Sequence, residues 1–245
     1  MSFLNKFRLA GIRDASALAP VAPVRYPPTG GYLSVAAHRS SGPKSDLRVS
    51  NGLKEFLWLL DGLGHGSLLD LGPAWQTTIS FFVERGFKVY AEDVLRSWKD
   101  FLTVEEERLR SVALGADPTE MTPESRAERF LEGNLTYKQG TFDAVLLWDL
   151  VDYLEPALVK RVVAHLTDLL RPGGVVLAMF HSRMPESFCR YRVVDTTALQ
   201  MLPADMLCPP QRVYQNREIQ LLFQGYRTSK SFVGRDQLRE VLFVK

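Results

Sequence analysis

The sequence predicts an α/β fold in which a mostly parallel sheet lies between two layers of helices, and three observations predict it. Apolar runs of strand length alternate with segments of helical periodicity from residue 67 to residue 180. The later runs, Thr141-Phe-Asp-Ala-Val-Leu-Leu-Trp148 and Val175 to Phe180, are almost continuously apolar, as strands covered on both faces are. A carboxylate also sits at the end of each of the first two strands, and ligands in such sheets bind beyond the carboxyl ends of the strands.

Residues 1–45 have the chemistry of an arm, with Pro20, Pro23, Pro27, Pro28 and Pro43 beside Gly30-Gly31 and Ser40-Ser41-Gly42. Their start admits a short amphipathic helix, Phe3, Leu4, Phe7 and Leu9 among Lys6, Arg8 and Arg13. Arg13 and Asp14 interrupt the apolar stretch that a signal peptide needs. Residues 46–245 then form one domain. A helix is predicted from Leu47 to Leu63, with Leu53, Phe56, Leu57 and Leu60 on one face. Gly62-Leu-Gly-His-Gly66 follows a helix and opens a strand, the reverse of a dinucleotide loop, so it reads as a helix stop with His65 as a turn residue.

Ser67 to Val94 organises the rest. Ser67 to Leu71 is a strand ending in Asp70 and Gly72; Thr77 to Arg85 is a helix with Ile79, Phe82 and Val83 at helical spacing; Gly86 suits the left-handed position that ends it. Phe87 to Ala91 is a second strand, closed by Glu92 and Asp93. Ser97 to Leu114 reads as a helix with Glu105-Glu106-Glu107 on its wet face, residues 115–128 as a surface loop, and Arg129 to Leu135 as a third strand. Pro156 to Leu170 is an amphipathic helix stopped by Arg171-Pro-Gly-Gly174. Tyr191 to Asp195 and Ala198 to Leu202 suggest a hairpin, and a helix follows around Ile219 to Tyr226. Ser229 to Val233 and Glu240 to Val244 close the chain as an antiparallel pair, because so short a connection cannot return a parallel strand.

Composition narrows the function. The apolar fraction of 46% and charged fraction of 24% are those of an ordinary globular domain, and no apolar run reaches the length of a membrane span. Cys189 and Cys208 have no metal or redox spacing, so no metal is expected, and their scarcity points to a reducing compartment, the cytoplasm. Residues 1–54 hold eight basic groups against two acidic, yet they lack the dense Lys/Arg clusters with interleaved aromatics of a nucleic-acid site.

Five places resemble class I S-adenosylmethionine-dependent methyltransferases, over roughly residues 50–245. They are Leu68-Leu-Asp-Leu-Gly72; Asp93, which lies 23 positions after Asp70; Asn134; Phe142-Asp-Ala-Val with Trp148-Asp-Leu-Val-Asp-Tyr-Leu154; and Leu170-Arg-Pro-Gly-Gly174 before an apolar strand. The resemblance implies a Rossmann-like three-layer sandwich with a seven-stranded, mostly parallel sheet and an antiparallel last strand. It implies S-adenosylmethionine as cofactor, held by Asp70, Gly72, Pro73, Ala74, Asp93, Asn134 and Trp148. Asp93 would take the ribose and Asn134 the adenine, with residues 182–212 as an insertion or lid. It names no catalytic residue and no methyl acceptor.

Each residue keeps a plainer alternative: Asp70 as a turn cap, Asn134 as a turn residue, Trp148 as core, Asp149 and Asp152 as substrate contacts or caps of the helix at 156. His181 is the one histidine placed to act as a base, and Tyr32 and Tyr191 are candidates to fold over the pocket. The family's second and third glycines are Ala74 and Gln76 here, which supports a second reading, a methyltransferase-like binding or assembly module without catalysis. A nicotinamide-dependent oxidoreductase is disfavoured, since no G-x-G-x-x-G follows the first strand.

Overall fold

The computed structural model describes residues 46–112, 122–234 and 236–245. The arm over residues 1–45, with its amphipathic start and Tyr32, lies outside the described residues, as do residues 113–121, the end of the helix expected from Ser97 and the start of the expected loop. The described chain runs β1 (Asp46–Val49), α1 (Asn51–Leu60), β2 (Gly66–Asp70), α2 (Gln76–Val83), β3 (Phe87–Ala91), α3 (Val94–Val112) and α4 (Pro123–Gly133). It continues with β4 (Phe142–Trp148), a 3-10 turn at Leu150–Asp152, α5 (Pro156–Leu169), β5 (Leu170–His181), β6 (Cys189–Val193), β7 (Ala198–Pro203), α6 (Asn216–Leu222), β8 (Thr228–Val233) and β9 (Leu238–Val244).

The main sheet has the order β3-β2-β4-β5-β9-β8. β3, β2, β4 and β5 are parallel, and β9 runs antiparallel to both of its neighbours, as expected for the closing pair. Side-chain alternation divides the core in two. Leu69, Val145, Leu147, Val176, Phe180 and Phe243 pack with α3, α4, α5 and α6 on one face. Leu68, Leu146, Leu177, Met179 and Leu242 pack with α1, α2 and the residues of β6 and β7 on the other. Helices on both faces of a largely parallel sheet make a Rossmann-like three-layer α/β fold. The short connection between α2 and β3 depends on Gly86 at φ 83, where a Cβ would lie 2.3 Å from the Gly64 carbonyl oxygen.

Four expectations are corrected. The sheet has six strands rather than seven, because the third strand expected at Arg129 to Leu135 is the end of α4. Thr122 caps that helix through its side chain and Pro123 begins it, while Ala127 and Phe130 share its buried face. The same helix takes residues 123–128 out of the expected loop. The helix expected from Leu47 starts at Asn51, where Ser50 Oγ accepts from the Leu53 amide 2.9 Å away. Residues 47–49 instead alternate exposed, buried, exposed in β1, which pairs with β7. Finally, Glu105 leaves the wet face of α3: it is buried and accepts from Arg108 Nη2 at 2.8 Å and from Arg129. Its carboxyl is held below the usual range chiefly by the Arg108 hydrogen bond, against burial.

The hairpin expected near residue 191 forms as β6 and β7, and β1 joins it in a small antiparallel sheet of order β1-β7-β6. That sheet brings β6 over the carboxyl ends of the main strands.

Candidate functional site

The connections after β2 and β4 pass to opposite faces of the sheet, through α2 on one and α5 on the other. A crevice at the ends of these two strands is therefore a topological switch point, the place where open α/β sheets bind ligands. Its walls include Leu71, Gly72, Pro73, Trp148, Asp149 and Tyr191.

Asp70 ends β2 and is 1% exposed. Its Oδ1 accepts from the Gly72 amide at 2.9 Å and from Trp148 Nε1 at 2.6 Å. Burial pushes its carboxyl up to about 6, against the pull of those two donors. The turn-capping alternative for Asp70 is thus realised in the structure. Trp148 reaches Asp70 because its own backbone lies at φ 54, a left-handed conformation uncommon for a bulky side chain. That twist folds the indole back over the turn after β2. A Cβ on residue 72 would stand 2.7 Å from the indole nitrogen, so only glycine lets the two strands close this way.

The remaining candidates separate. Asp93 is half-buried beyond β3; both of its oxygens accept from Arg190 Nη2 of β6, at 3.0 and 3.1 Å, and Oδ1 also accepts from the Arg96 amide at 3.2 Å, capping the start of α3. Glu92 beside it accepts instead from the Tyr137 hydroxyl. Asn134 ends α4 and donates through Nδ2 to the Phe130 carbonyl at 2.8 Å, a local cap, and it is not among the walls of the crevice. Ala74 and Gln76 are exposed and likewise do not line it. Gln76 Nε2 donates to Ser80 Oγ at 3.0 Å along its own helix, so its side chain does not cross the floor of the crevice.

Tyr191 does fold over the crevice. Its ring stacks on Trp148, with centroids 5.7 Å apart and planes 11° apart, and its hydroxyl donates to Asp149 Oδ2 at 3.0 Å. Neither Asp149 nor Asp152 caps α5, whose N-cap Glu155 makes no side-chain capping bond. They hold His181 instead. Asp152 Oδ2 accepts from the His181 amide at 2.7 Å and stands 3.0 Å from its Nδ1, while Asp149 Oδ2 is 3.8 Å from Nε2. Desolvation opposes a charge on this imidazole, and the two carboxylates outweigh it, so its pKa is raised. Burial pushes Asp149 up to about 6 and raises Asp152 as well. A second cavity of about 290 Å³ opens in front of His181, with Cys189 and Tyr191 in the wall it shares with the crevice. Sequence reasoning missed the part played by Arg190. An arginine one residue before a candidate lid tyrosine was the available signal.

With Arg190 and Tyr191 in place the crevice keeps a cavity of about 20 Å³, room for about one water. Ligand pockets span roughly 300 Å³ or more. In this arrangement the crevice does not accommodate an adenosyl group. A cavity of about 660 Å³ lies between α5 and α6 and shares no residue with the crevice. Its carboxylates, Asp168 and Glu218, are not buried. Among the described residues no cluster of side chains could hold a metal ion, and no helix is long and apolar enough to cross a membrane.

No family model matches the chain, and no curated protein does. Its fold is similar to those of several solved methyltransferases. One is a 1,6-didemethyltoxoflavin-N1-methyltransferase of Burkholderia thailandensis with bound 1,6-didemethyltoxoflavin and S-adenosylhomocysteine, 18% identical over 80% of this chain and 78% of that one, TM-score 0.42. Others are S-adenosylmethionine-dependent methyltransferases of Mesorhizobium loti (14% identical, 78% and 96% covered, TM-score 0.43) and Aquifex aeolicus (14%, 78% and 88%, TM-score 0.40). Likenesses of this order assign neither an activity nor the role of any residue.

Proposed function

We propose that this chain is a cytoplasmic methyltransferase that draws its methyl group from S-adenosylmethionine. The observation that carries the reading is the crevice at the switch point. There the Gly72 backbone and the Trp148 indole wall the crevice at the ends of β2 and β4, Asp70 is buried against both of them, and Asp93 beyond β3 is bonded to Arg190 of the wall. With Arg190 and Tyr191 withdrawn, the two oxygens of Asp93 would match the paired hydroxyls of a ribose, and the Trp148 indole face would match a flat ring. The cofactor would supply a cationic sulfonium whose methyl group is transferred. Residues 182–212, which carry β6 and β7, would form the lid and the acceptor-recognition surface, since chemistry on this kind of scaffold varies through its added loops.

A second reading, a binding module without catalysis, is favoured by the filling of the crevice with Arg190 and Tyr191. Calorimetric titration with S-adenosylmethionine, S-adenosylhomocysteine and NADH separates the readings. The two sulfur compounds are expected to bind with dissociation constants no weaker than about 1 mM. Absence of both would remove the enzyme, and binding of NADH alone would indicate a nicotinamide enzyme.

Asp93→Ala tests the ribose assignment. Losing two hydrogen bonds to a charged acceptor costs about 1.5–3 kcal/mol each, whereas freeing Arg190 from its partner returns no more than about 1 kcal/mol. The expected net result is an S-adenosylhomocysteine affinity at least about tenfold lower in a chain that still folds, its stability lowered by about 0.5–2 kcal/mol through loss of the α3 cap. An unaltered affinity would refute Asp93 as the ribose acid.

A further inference from the structure

The two groups that close the crevice are of a particular kind. Arg190 Nη2 bridges both oxygens of Asp93, at 3.0 and 3.1 Å, the two acceptors that a pair of vicinal hydroxyls would use. The Tyr191 ring lies parallel to the Trp148 indole within 11°, where a flat base would stack. A nucleoside combines these features, a diol and a planar ring. Both side chains come from one strand, β6, an edge strand that pairs with β7 (Arg190 opposite Leu202, Tyr191 opposite Met201) and is tied to α2 at its far end by the Val193 amide, which donates to Thr78 Oγ1 at 3.0 Å. The Arg190 guanidinium also lies over the Phe188 ring, 5.0 Å from its centroid, which leaves it a second resting place when Asp93 is released.

We propose that Arg190 and Tyr191 are a built-in occupant of the crevice, mimicking a nucleoside and having to leave before one binds. This rests on the cofactor reading above. A ligand and the Arg190–Asp93 pair exclude each other, so the apparent affinity of the crevice is its intrinsic affinity reduced by the fraction of molecules in which β6 has let go. Any partner or acceptor that draws β6 away would raise cofactor affinity without touching the cofactor.

The test is calorimetric titration of the full chain and of Arg190→Met with S-adenosylhomocysteine, adenosine and 2′,3′-dideoxyadenosine. Methionine keeps an aliphatic stem against Phe188 while losing every donor to Asp93. The variant is expected to bind S-adenosylhomocysteine and adenosine about three- to tenfold more tightly, and to bind dideoxyadenosine, which lacks the diol, no better than the parent does. An equal gain for all three would mean general loosening and would overturn the mimicry. Binding of S-adenosylhomocysteine by both chains with the same affinity would overturn the occupant and leave the cofactor reading standing. Binding by neither chain would overturn the cofactor reading and this inference with it. Should Arg190→Met fail to fold by circular dichroism, Arg190→Lys takes its place. Its ammonium is a point donor without the guanidinium fork, and the expected gain, smaller but of the same selectivity, decides the matter in the same way.

Discussion

Arg48→Met should lower the stability of the domain by about 3–5 kcal/mol, the largest effect expected of any single change outside the main core. Arg48 sits on β1, nearly buried, and reaches across to β9. It donates to Glu240, to Asp236 and, through Nη2 at 3.2 Å, to the Leu238 carbonyl. Glu240 is 1% exposed, and its other oxygen accepts from the Gly52 amide at the start of α1, 2.6 Å away. Removing the guanidinium leaves a carboxylate shut away from water with one amide donor, and a buried charge stripped of its partner costs several kcal/mol. Urea unfolding followed by circular dichroism measures the loss. Adding Glu240→Gln to Arg48→Met should recover most of it, since the amide needs no counter-charge and its oxygen can still accept from Gly52. If the double variant is as unstable as the single one, the cost lies in lost packing and the electrostatic account fails.

Asp70→Asn should stabilise the domain at pH 8 by about 1–3 kcal/mol and do little at pH 4. Burial raises the Asp70 carboxyl from an ordinary 3.8 to about 6, so the fold favours its neutral form. A carboxyl whose folded pKa lies above its unfolded one adds stability that is complete below about pH 3.8 and lost as the pH rises through about 6. Above that, the protein keeps a desolvated charge at the end of β2. Asparagine retains an oxygen for the Gly72 amide and the Trp148 indole and has no proton to lose. Asp149, also pushed up to about 6 by burial, adds to the same slope, so the parent protein should become less stable as the pH rises from about 4 to about 7. Thermal unfolding of parent and variant across that range gives the comparison. A stability gain from Asp70→Asn that did not depend on pH would show that the carboxyl titrates normally.

These two expectations rest on contacts of different legibility. The strand-end position of Asp70 is visible in the sequence, because β2, α2 and β3 each carry their own periodicity and their own stop signal. The same holds for β4, α5 and the apolar part of β5, and it holds for the closing pair, whose four-residue connection forces a reversal. What misled was the run from Phe130 to Leu135, whose apolar residues suit a strand or a helix equally, and there the cap at Thr122 and Pro123 decided in favour of α4. Glu105 misled differently. Within its own helix it belongs to an acidic run, and only the arrival of Arg129 from α4 turns it inward.

The candidate site divides along the same line. Sequence alone placed Asp70, Gly72, Asp93 and Trp148 at or just beyond strand ends, because strand ends and spacing follow from local patterns, while the order that makes those strands neighbours came from the tertiary structure. The sequence also named Tyr191, alongside Tyr32, as a candidate to fold over the pocket, without showing where it would fall. Only the tertiary structure decided what stands against those residues. The Trp148 indole bends back to Asp70 through a left-handed backbone that no local preference favours. Arg190, 97 residues after Asp93, takes the carboxylate that the spacing had reserved for a ribose. Such contacts are made by side chains brought together when β1 joins β7 and carries β6 over the main sheet. Local periodicity holds no record of them, because it describes which face a residue presents and not what arrives to meet it.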